Sequence, residues 1–276
     1  MVINMMIDRN KIKIDIAIRS EAGLVIASKE GSSPSLLHLT EYTYCPGDRI
    51  VISTSIWPVF LQVQIDEKVP EAVIYLDSNS MEFPIPVDKE LEAYEPGAFQ
   101  GGRHKIYVEA LEESPYLNNS IISCNPIDKR GETTYYPHAY GNVETRGESV
   151  FAARNVIDGI IETSSHGEWP YQSWGDNENP YAEITVHFGR EIYANRIDFY
   201  LRADFPHDNY WEKICVVFSN GSSLDIQLNK TGKCQRILFT ESKIRWVKIT
   251  KLQKSQEESP FPALTQMVVW GRDIIE

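Results

Sequence analysis

Apolar and polar residues alternate with a period of two along most of the chain. The segment KIKIDIAI places Ile12, Ile14, Ile16 and Ile18 on one face, and RIVISTSI, VFLQVQID and EAVIYL continue the pattern. Such alternation is typical of a β-strand with one buried face. Turn-rich clusters such as GSSPS and CPGD separate the candidate strands, and no segment longer than about ten residues has the period of a helix. The pattern therefore predicts an all-β protein.

The strand pattern divides the chain into two β-sandwiches. Residues 1–113 contain short strands separated by turns with Gly and Pro, which predicts an immunoglobulin-like sandwich. A polar segment, EESPYLNN, follows, and then a long irregular region from Asn125 to Asn179. Regular alternation returns at Ala182 and continues through NRIDFYLR, KICVVF and IRWVKIT. Residues 114–276 are therefore predicted to form a second sandwich of about eight strands, the size of a jelly roll.

Residues 117–276 resemble the discoidin-like family, also called the coagulation-factor type C or galactose-binding-like fold. The resemblance rests on short pieces that follow the family's order. They are Asn125–Pro126, the Tyr-Pro-His-Ala segment Tyr136–Ala139, the FAARNVIDG segment Phe151–Gly159, Trp174, Phe188–Gly189 and Trp270–Gly271. Family members are most often non-catalytic recognition modules, and many bind glycans through loops at one end of the jelly roll. The resemblance therefore implies a non-catalytic carbohydrate-binding protein.

Charge and composition narrow the choice of partners. The chain has 276 residues, with 39 Asp and Glu against 27 Lys and Arg, a formal net charge of −12. Nucleic acids and anionic membranes require clustered positive charge, so neither is expected as a partner, and no apolar run is long enough for membrane insertion. No signal peptide is visible, which predicts a cytoplasmic protein for the sequence as it stands. The expected partner is a glycan or oligosaccharide, with a protein partner as an alternative.

Three loops of the second half carry the side chains that a sugar site needs. Aromatic rings can cover the apolar face of a pyranose, while charged and polar groups bond its hydroxyls. The loops have the sequences HGEWPYQSWG, LRADFPHDNYWE and EESPFPALTQ. The residues predicted to bind the glycan are His166, Glu168, Trp169, Tyr171, Arg202, Asp204, His207, Tyr210, Trp211 and Phe261.

These loop residues also have other interpretations. The aromatic rings could close the end of the sandwich, and Trp174 matches a structural core Trp of the family. Arg202 could hold its loop through an ion pair with Asp204 or Asp208. A saccharide-acting hydrolase or lyase is a second functional hypothesis, and a protein-docking module is a third. The active site of such an enzyme would contain His166, Glu168, His207 and Asp208.

A structural calcium ion is the other feature that the resemblance implies. Family members often hold Ca²⁺ with oxygens from the Asp-Gly turn, a following Thr and a carboxylate on the last strand. The corresponding positions here are Asp158, Gly159, Thr163 and Gln266. Because Gln266 is an amide, the site lacks one of the negative charges that favour calcium. The alternative is a plain Asp-Gly turn, in which the Asp158 carboxylate accepts bonds from local backbone N–H groups.

Overall fold

The computed structural model describes residues 8–203 and 209–274. These residues form antiparallel β-sheets joined by turns and by five short 3-10 helices, which confirms the predicted all-β class. The 3-10 helices are Arg9–Lys11, Asp88–Ala93, Thr145–Gly147, Ser149–Phe151 and Ala153–Ile157. Within the described ranges, no helix has the length and apolar character needed to cross a membrane.

Two sheets around one core make up the N-terminal sandwich. Its strands are β1 (Lys13–Arg19), β2 (Val25–Ser32), β3 (Ser35–Leu39), β4 (Arg49–Thr54), β5 (Val59–Gln64), β6 (Ala72–Leu76), β7 (Ser80–Pro84) and β8 (His104–Ala110). One sheet has the order β2-β1-β4-β7, and the other runs β6-β5-β8-β3. An immunoglobulin constant domain ends its second sheet with the last strand of the chain. Here the early strand β3 takes the place beside β8, so the strand order differs at this edge.

The alternation of the sequence determines which side chains fill this core. Ile12, Ile14, Ile16 and Ile18 are fully buried, as the period of two predicted. The residues between them on β1 are exposed or half-buried. Each buried aliphatic side chain stabilises the fold by about 1.5–3 kcal/mol relative to an exposed one, so a shift of one residue in register would expose the whole row.

A second set of strands forms the C-terminal sandwich. These strands are β9 (Ser120–Ile121), β11 (His138–Gly141), β12 (Trp174–Gly175), β13 (Ile184–Arg202), β14 (Trp211–Phe218), β15 (Ser223–Gln227), β16 (Gln235–Lys254) and β17 (Ala263–Asp273). Their order is β12-β17-β13-β16-β14-β15, with β11 beside β13 and β9 beside β17. The pairing of β13 with β16 shifts register between His187 and Ile192 and again between Ala194 and Arg196. Such irregularities bend strands, which lets this sheet curve around its own core.

The two sandwiches are in direct contact. The short strand β10 (Tyr135–Tyr136) lies beyond residue 113 in the sequence, yet it pairs with β6 of the N-terminal sandwich. Ile127 and Tyr135 are buried among the N-terminal core residues. From the other side, the guanidinium of Arg190 lies 4.7 Å from the ring centroid of Phe60. The segment that follows the predicted boundary therefore contributes to both sandwiches.

Candidate functional site

A small depression in the C-terminal sandwich brings together two of the residues predicted to bind a glycan. His166 and Phe261 both line it, together with Arg146, Phe151 and Asn177. Its volume is about 80 Å³, and the Phe261 ring is 39% exposed. The first and third predicted loops therefore meet, although 95 positions of sequence separate these two side chains.

Aromatic and cationic groups are stacked along one wall of the depression. The rings of Phe151 and His166 are 6.2 Å apart, with an angle of 12° between their planes. The Arg146 guanidinium lies 5.4 Å from the centroid of the Phe151 ring and makes two 2.8 Å bonds to the Glu148 carboxylate. This ion pair raises the pKa of Arg146 and lowers the pKa of Glu148. A guanidinium has five N–H donors and the ion pair uses two, so the wall combines flat rings with N–H groups.

The backbone around the depression adopts sparsely populated conformations. Arg146, Asn177 and Glu178 have φ angles of 52°, 49° and 57°. They are three of the six non-glycine residues with positive φ in the described part of the chain. Such conformations cost about 1–3 kcal/mol each and cluster at functional sites. The turn is held by the Asp176 carboxylate, which accepts the N–H of Glu178 at 3.0 Å and the indole N–H of Trp211 at 2.9 Å.

Two aromatic residues predicted to contact the ligand are buried instead. Trp211 is 1% exposed and Tyr171 is 6% exposed. The Trp211 ring packs 5.9 Å from the ring of Trp174, which is fully buried in the C-terminal core. A buried ring cannot present its face to a sugar. This corrects the prediction of a stacking platform at Trp211 and Tyr171, and it agrees with the structural interpretation of Trp174.

Arg202 is also removed from solvent. Its side chain is 0% exposed, and Nη1 donates to the carbonyl oxygen of Tyr171 at 2.6 Å. The Tyr171 hydroxyl in turn donates to the Glu92 carboxylate of the N-terminal sandwich at 3.3 Å. Arg202 therefore anchors the loop before β12 to the end of β13, which corrects its predicted role as a ligand contact.

The remaining predicted residues lie elsewhere. Glu168 is exposed, and Trp169 lines a separate cavity of about 320 Å³ that faces the N-terminal sandwich. Tyr210 is half-buried against the C-terminal core. Asp204 and His207 lie outside the described residues. Of the eight predicted ligand contacts that lie in the described part of the chain, two therefore share the depression.

Sequence reasoning missed Arg146, Phe151 and Asn177 as lining residues. Phe151 begins the FAARNVIDG motif, and Arg146 precedes it in the segment TRGES. The glycine after Arg146, Gly147, is the one local sequence signal of an unusual turn at this position. Because the segment between β11 and β12 has no periodicity, no pattern indicates which of its side chains face solvent.

No protein-family model and no curated protein sequence matches the chain. Several solved structures are similar to it. Chitosan-binding module 1 of a chitosanase/glucanase from Paenibacillus sp. IK-5 is 17% identical, with a TM-score of 0.40 over 55% of this chain and 99% of that one. A fucose-binding module from Streptococcus pneumoniae is 14% identical, with a TM-score of 0.39 over 55% and 95%. The family 32 carbohydrate-binding module of C. perfringens NanJ, in complex with galactose, is 19% identical, with a TM-score of 0.35 over 48% and 91%. All three are carbohydrate-binding modules, the class of protein that the sequence resemblance indicates.

Three of the residues predicted to hold calcium form a closed hydrogen-bond network. Asp158 and Gln266 are 4% and 1% exposed. Nε2 of Gln266 donates to Oδ1 of Asp158 and to the carbonyl oxygen of Asn155, both at 2.6 Å. Oε1 of Gln266 accepts the N–H of Gly159 at 3.2 Å. The last bond fixes the amide orientation, because a reversed amide would place two N–H groups against each other.

This network does not fit a calcium ion. The Gln266 amide nitrogen occupies the position from which a cation would contact Asp158 and Asn155, and an N–H group cannot be a ligand. Oδ2 of Asp158 accepts from Gln172 at 3.1 Å, and the Thr163 side chain is exposed. Within the described ranges, no group of three or more His, Cys, Asp or Glu side chains could hold a metal. The Asp158 oxygens are engaged as the plain Asp-Gly turn requires, with Oδ1 also accepting the N–H of Ile160 at 2.9 Å.

The buried Asp158 carboxyl predicts a pH dependence of stability. Burial raises its pKa from 3.8 to about 6, although the Arg154 charge opposes the rise. The folded protein therefore holds this proton more tightly than the unfolded chain does, and the resulting stability is lost as the pH rises from about 4 to about 6. We expect Asp158→Asn to remove a decline of about 3 kcal/mol in the free energy of unfolding across that window.

Urea unfolding at a series of pH values measures this difference. Asp15→Asn, which removes an exposed carboxylate from β1, should keep the wild-type slope. The prediction would be contradicted if the free energy of unfolding changed with pH in the same way in the wild type and in Asp158→Asn.

Proposed function

We propose that this protein binds a carbohydrate at the depression formed by Arg146, Phe151, His166, Asn177 and Phe261, and that it does not transform its ligand. The observation that carries this proposal is the position of the Phe261 ring, 39% exposed beside an imidazole and a guanidinium. A pyranose has an apolar C–H face and a hydroxyl-rich edge. An exposed ring flanked by N–H donors is complementary to both.

The size of the depression suggests which part of a glycan it takes. A volume of about 80 Å³ is far below the roughly 300–1,000 Å³ of pockets that enclose a whole ligand. A single sugar unit would therefore be only partly enclosed, with the rest of the glycan in solvent. We infer that the ligand unit is a terminal sugar.

The carboxylates near the depression bear on whether it could hydrolyse a glycan. Glycoside hydrolysis by the usual route requires two carboxyl groups about 5–10 Å apart. Among the described lining residues, the one carboxylate is Asp176. Burial raises the pKa of Asp176, but both of its oxygens already accept hydrogen bonds, from Glu178 and Trp211. This use of Asp176 as a turn-holding acceptor supports binding without catalysis.

The Phe261→Ala variant tests the location of this site. We expect it to lower glycan affinity at least about tenfold, a loss of about 1.4 kcal/mol, because the stacking surface is removed. The melting temperature should change little, because the ring is already 39% exposed. Binding is measured on a glycan array and then by calorimetry with the strongest glycan found.

Tyr181→Ala is the matched control, since its ring is 82% exposed and lies outside the depression. An affinity of Phe261→Ala equal to that of the wild type for the strongest glycan would show that this glycan does not bind at the depression. A cleavage or elimination product released by the wild type from any glycan on the array would refute the non-catalytic part of the proposal.

A further inference from the structure

A much larger groove lies on a different part of the C-terminal sandwich. It has a volume of about 850 Å³ and is lined by β11, by residues 130–133 and by His187 of β13. This volume lies within the roughly 300–1,000 Å³ range of small-molecule sites. None of its lining residues is shared with the depression at Phe261.

Two histidines face this groove from adjacent strands. His138 on β11 is paired directly with His187 on β13. The next pair along, Ala139 and Val186, is buried in the C-terminal core. Because successive side chains of a strand point to opposite faces, His138 and His187 lie side by side on the face that looks away from that core.

Hydrogen bonds determine which nitrogen of each imidazole carries a proton. Nδ1 of His138 lies 2.7 Å from Oδ1 of Asp128, a fully buried carboxylate. An ionised carboxylate only accepts, so Nδ1 of His138 carries a proton and Nε2 is the ring nitrogen left for a ligand. His187 has the opposite arrangement. Its Nδ1 accepts the backbone N–H of Gly189 at 3.0 Å, so its Nε2–H is a donor.

The His187 ring is held in this neutral form. Burial lowers its pKa, and the nearby positive charge of Arg245 lowers the pKa further. In the described part of the chain, neither Nε2 of His138 nor Nε2 of His187 has a hydrogen-bond partner. The groove therefore presents two adjacent Nε2 atoms that can bond a ligand, and that of His187 is a donor.

Two tyrosine rings flank the imidazole pair. The Tyr136 ring is 5.3 Å from the His187 ring, and the Tyr140 ring is 5.8 Å from the His138 ring with 25° between their planes. Tyr140 is 48% exposed. Gly189 makes room for Tyr136, because its φ is 72° and a Cβ atom there would lie 2.3 Å from the tyrosine ring. The backbone of β13 is thus shaped to let this ring lie beside His187.

The cationic groups of the groove are already bonded within the protein. Nε of Arg130 lies 2.8 Å from the Glu144 carboxylate. The buried Arg154 guanidinium donates to the carbonyl oxygens of Asp128 and Pro126 at 2.7 and 2.8 Å. Because both guanidinium groups already donate to oxygens of the protein, an anionic ligand would have to displace these bonds, which favours an uncharged ligand.

We propose that this groove is a second saccharide-binding site, which takes an uncharged sugar unit. One hydroxyl group of the sugar accepts from Nε2–H of His187 and also bonds Nε2 of His138, which it can do with either form of that ring because a hydroxyl is both donor and acceptor. The rings of Tyr136 and Tyr140 cover the apolar C–H surfaces on either side. This proposal does not rest on glycan binding at Phe261.

Imidazole nitrogen spectra of the full chain test the proposal. Protein labelled with ¹⁵N in histidine is titrated with D-galactose, L-fucose, N-acetyl-D-glucosamine and cellobiose, and the variants His138→Gln and His187→Phe assign the two ring systems among the six histidines. We expect at least one of these sugars to shift the ring signals of both His138 and His187. Tyr140→Ala, which removes a half-exposed ring, should weaken that binding at least tenfold and leave the fold intact.

The Phe261→Ala variant separates the two sites. Shifts of His138 and His187 that persist in Phe261→Ala would support an independent groove site, whatever happens to binding at the depression. The proposal is overturned if none of the four sugars shifts these signals in the wild type. It is also overturned if Tyr140→Ala binds them as the wild type does, or if the shifts disappear in Phe261→Ala.

Discussion

The Trp211→Ala variant is expected to be about 3–5 kcal/mol less stable to unfolding than the wild type, because removal of a fully buried aromatic side chain leaves a cavity. Trp211 is 1% exposed and packs against Trp174. Its indole N–H also bonds the Asp176 carboxylate at 2.9 Å, so the variant leaves a buried acceptor with one partner fewer. Urea unfolding monitored by far-UV circular dichroism measures the loss.

Trp57→Ala is the matched control, since the Trp57 ring is 52% exposed. Trp57→Ala should lower the free energy of unfolding by less than about 1 kcal/mol. If Trp211→Ala keeps wild-type stability but loses glycan binding, the structural role of Trp211 is wrong and the ring stacks on the ligand.

The Gln266→Glu variant is expected to lose about 3–5 kcal/mol at neutral pH, as is typical when a buried charge loses its compensation. The change removes the two N–H donors that bond Asp158 and Asn155 at 2.6 Å. It also places a second carboxylate against a buried one, and two adjacent carboxylates cannot both ionise without a large cost. Thermal unfolding at pH 7 measures the loss.

Two comparisons separate the charge from the lost hydrogen bonds. Gln266→Leu removes the same donors without adding a carboxylate, so it should be less destabilised than Gln266→Glu. Calcium should raise the melting temperature of Gln266→Glu, because the variant has the carboxylate that the discoidin-like pattern implies, and a cation that binds only the folded state stabilises it. A wild-type melting temperature that rises with calcium or falls with EDTA would contradict the interpretation that the Gln266 amide nitrogen takes the place of a calcium ion.

The correct predictions concern features that depend on neighbouring residues in the sequence. The row from Ile12 to Ile18 is buried as the period of two predicted, because neighbouring side chains of a strand point to opposite faces. The FAARNVIDG motif ends in a turn whose Asp158 accepts the N–H of Ile160, two residues away. Such features depend on residues close in sequence, so they can be predicted without a structure.

The incorrect predictions concern side chains whose partners lie far away in the sequence. Trp211 follows a Pro-containing loop, and nothing adjacent to it indicates that its indole meets Asp176, 35 residues earlier. The pairing of β14 with β16 shifts register on either side of Lys213, so alternation does not give the orientation of the first residues of β14. The prediction of Arg202 as a ligand contact fails for the same reason, because its partner Tyr171 lies 31 residues away.

The sequence by itself determined the all-β class and the buried rows of the strands, because both follow from short-range alternation and turn chemistry. That the loops of His166 and Phe261 lie near one end of the second sandwich was implied by the resemblance to the discoidin-like family. Only the tertiary structure decided which loop side chains stay exposed, since burial depends on what packs above them. It decided that Gln266 bonds Asp158 across 108 positions. It also placed His138 beside His187, 49 positions apart in the chain, because the pairing of two strands sets that register and no local pattern encodes it.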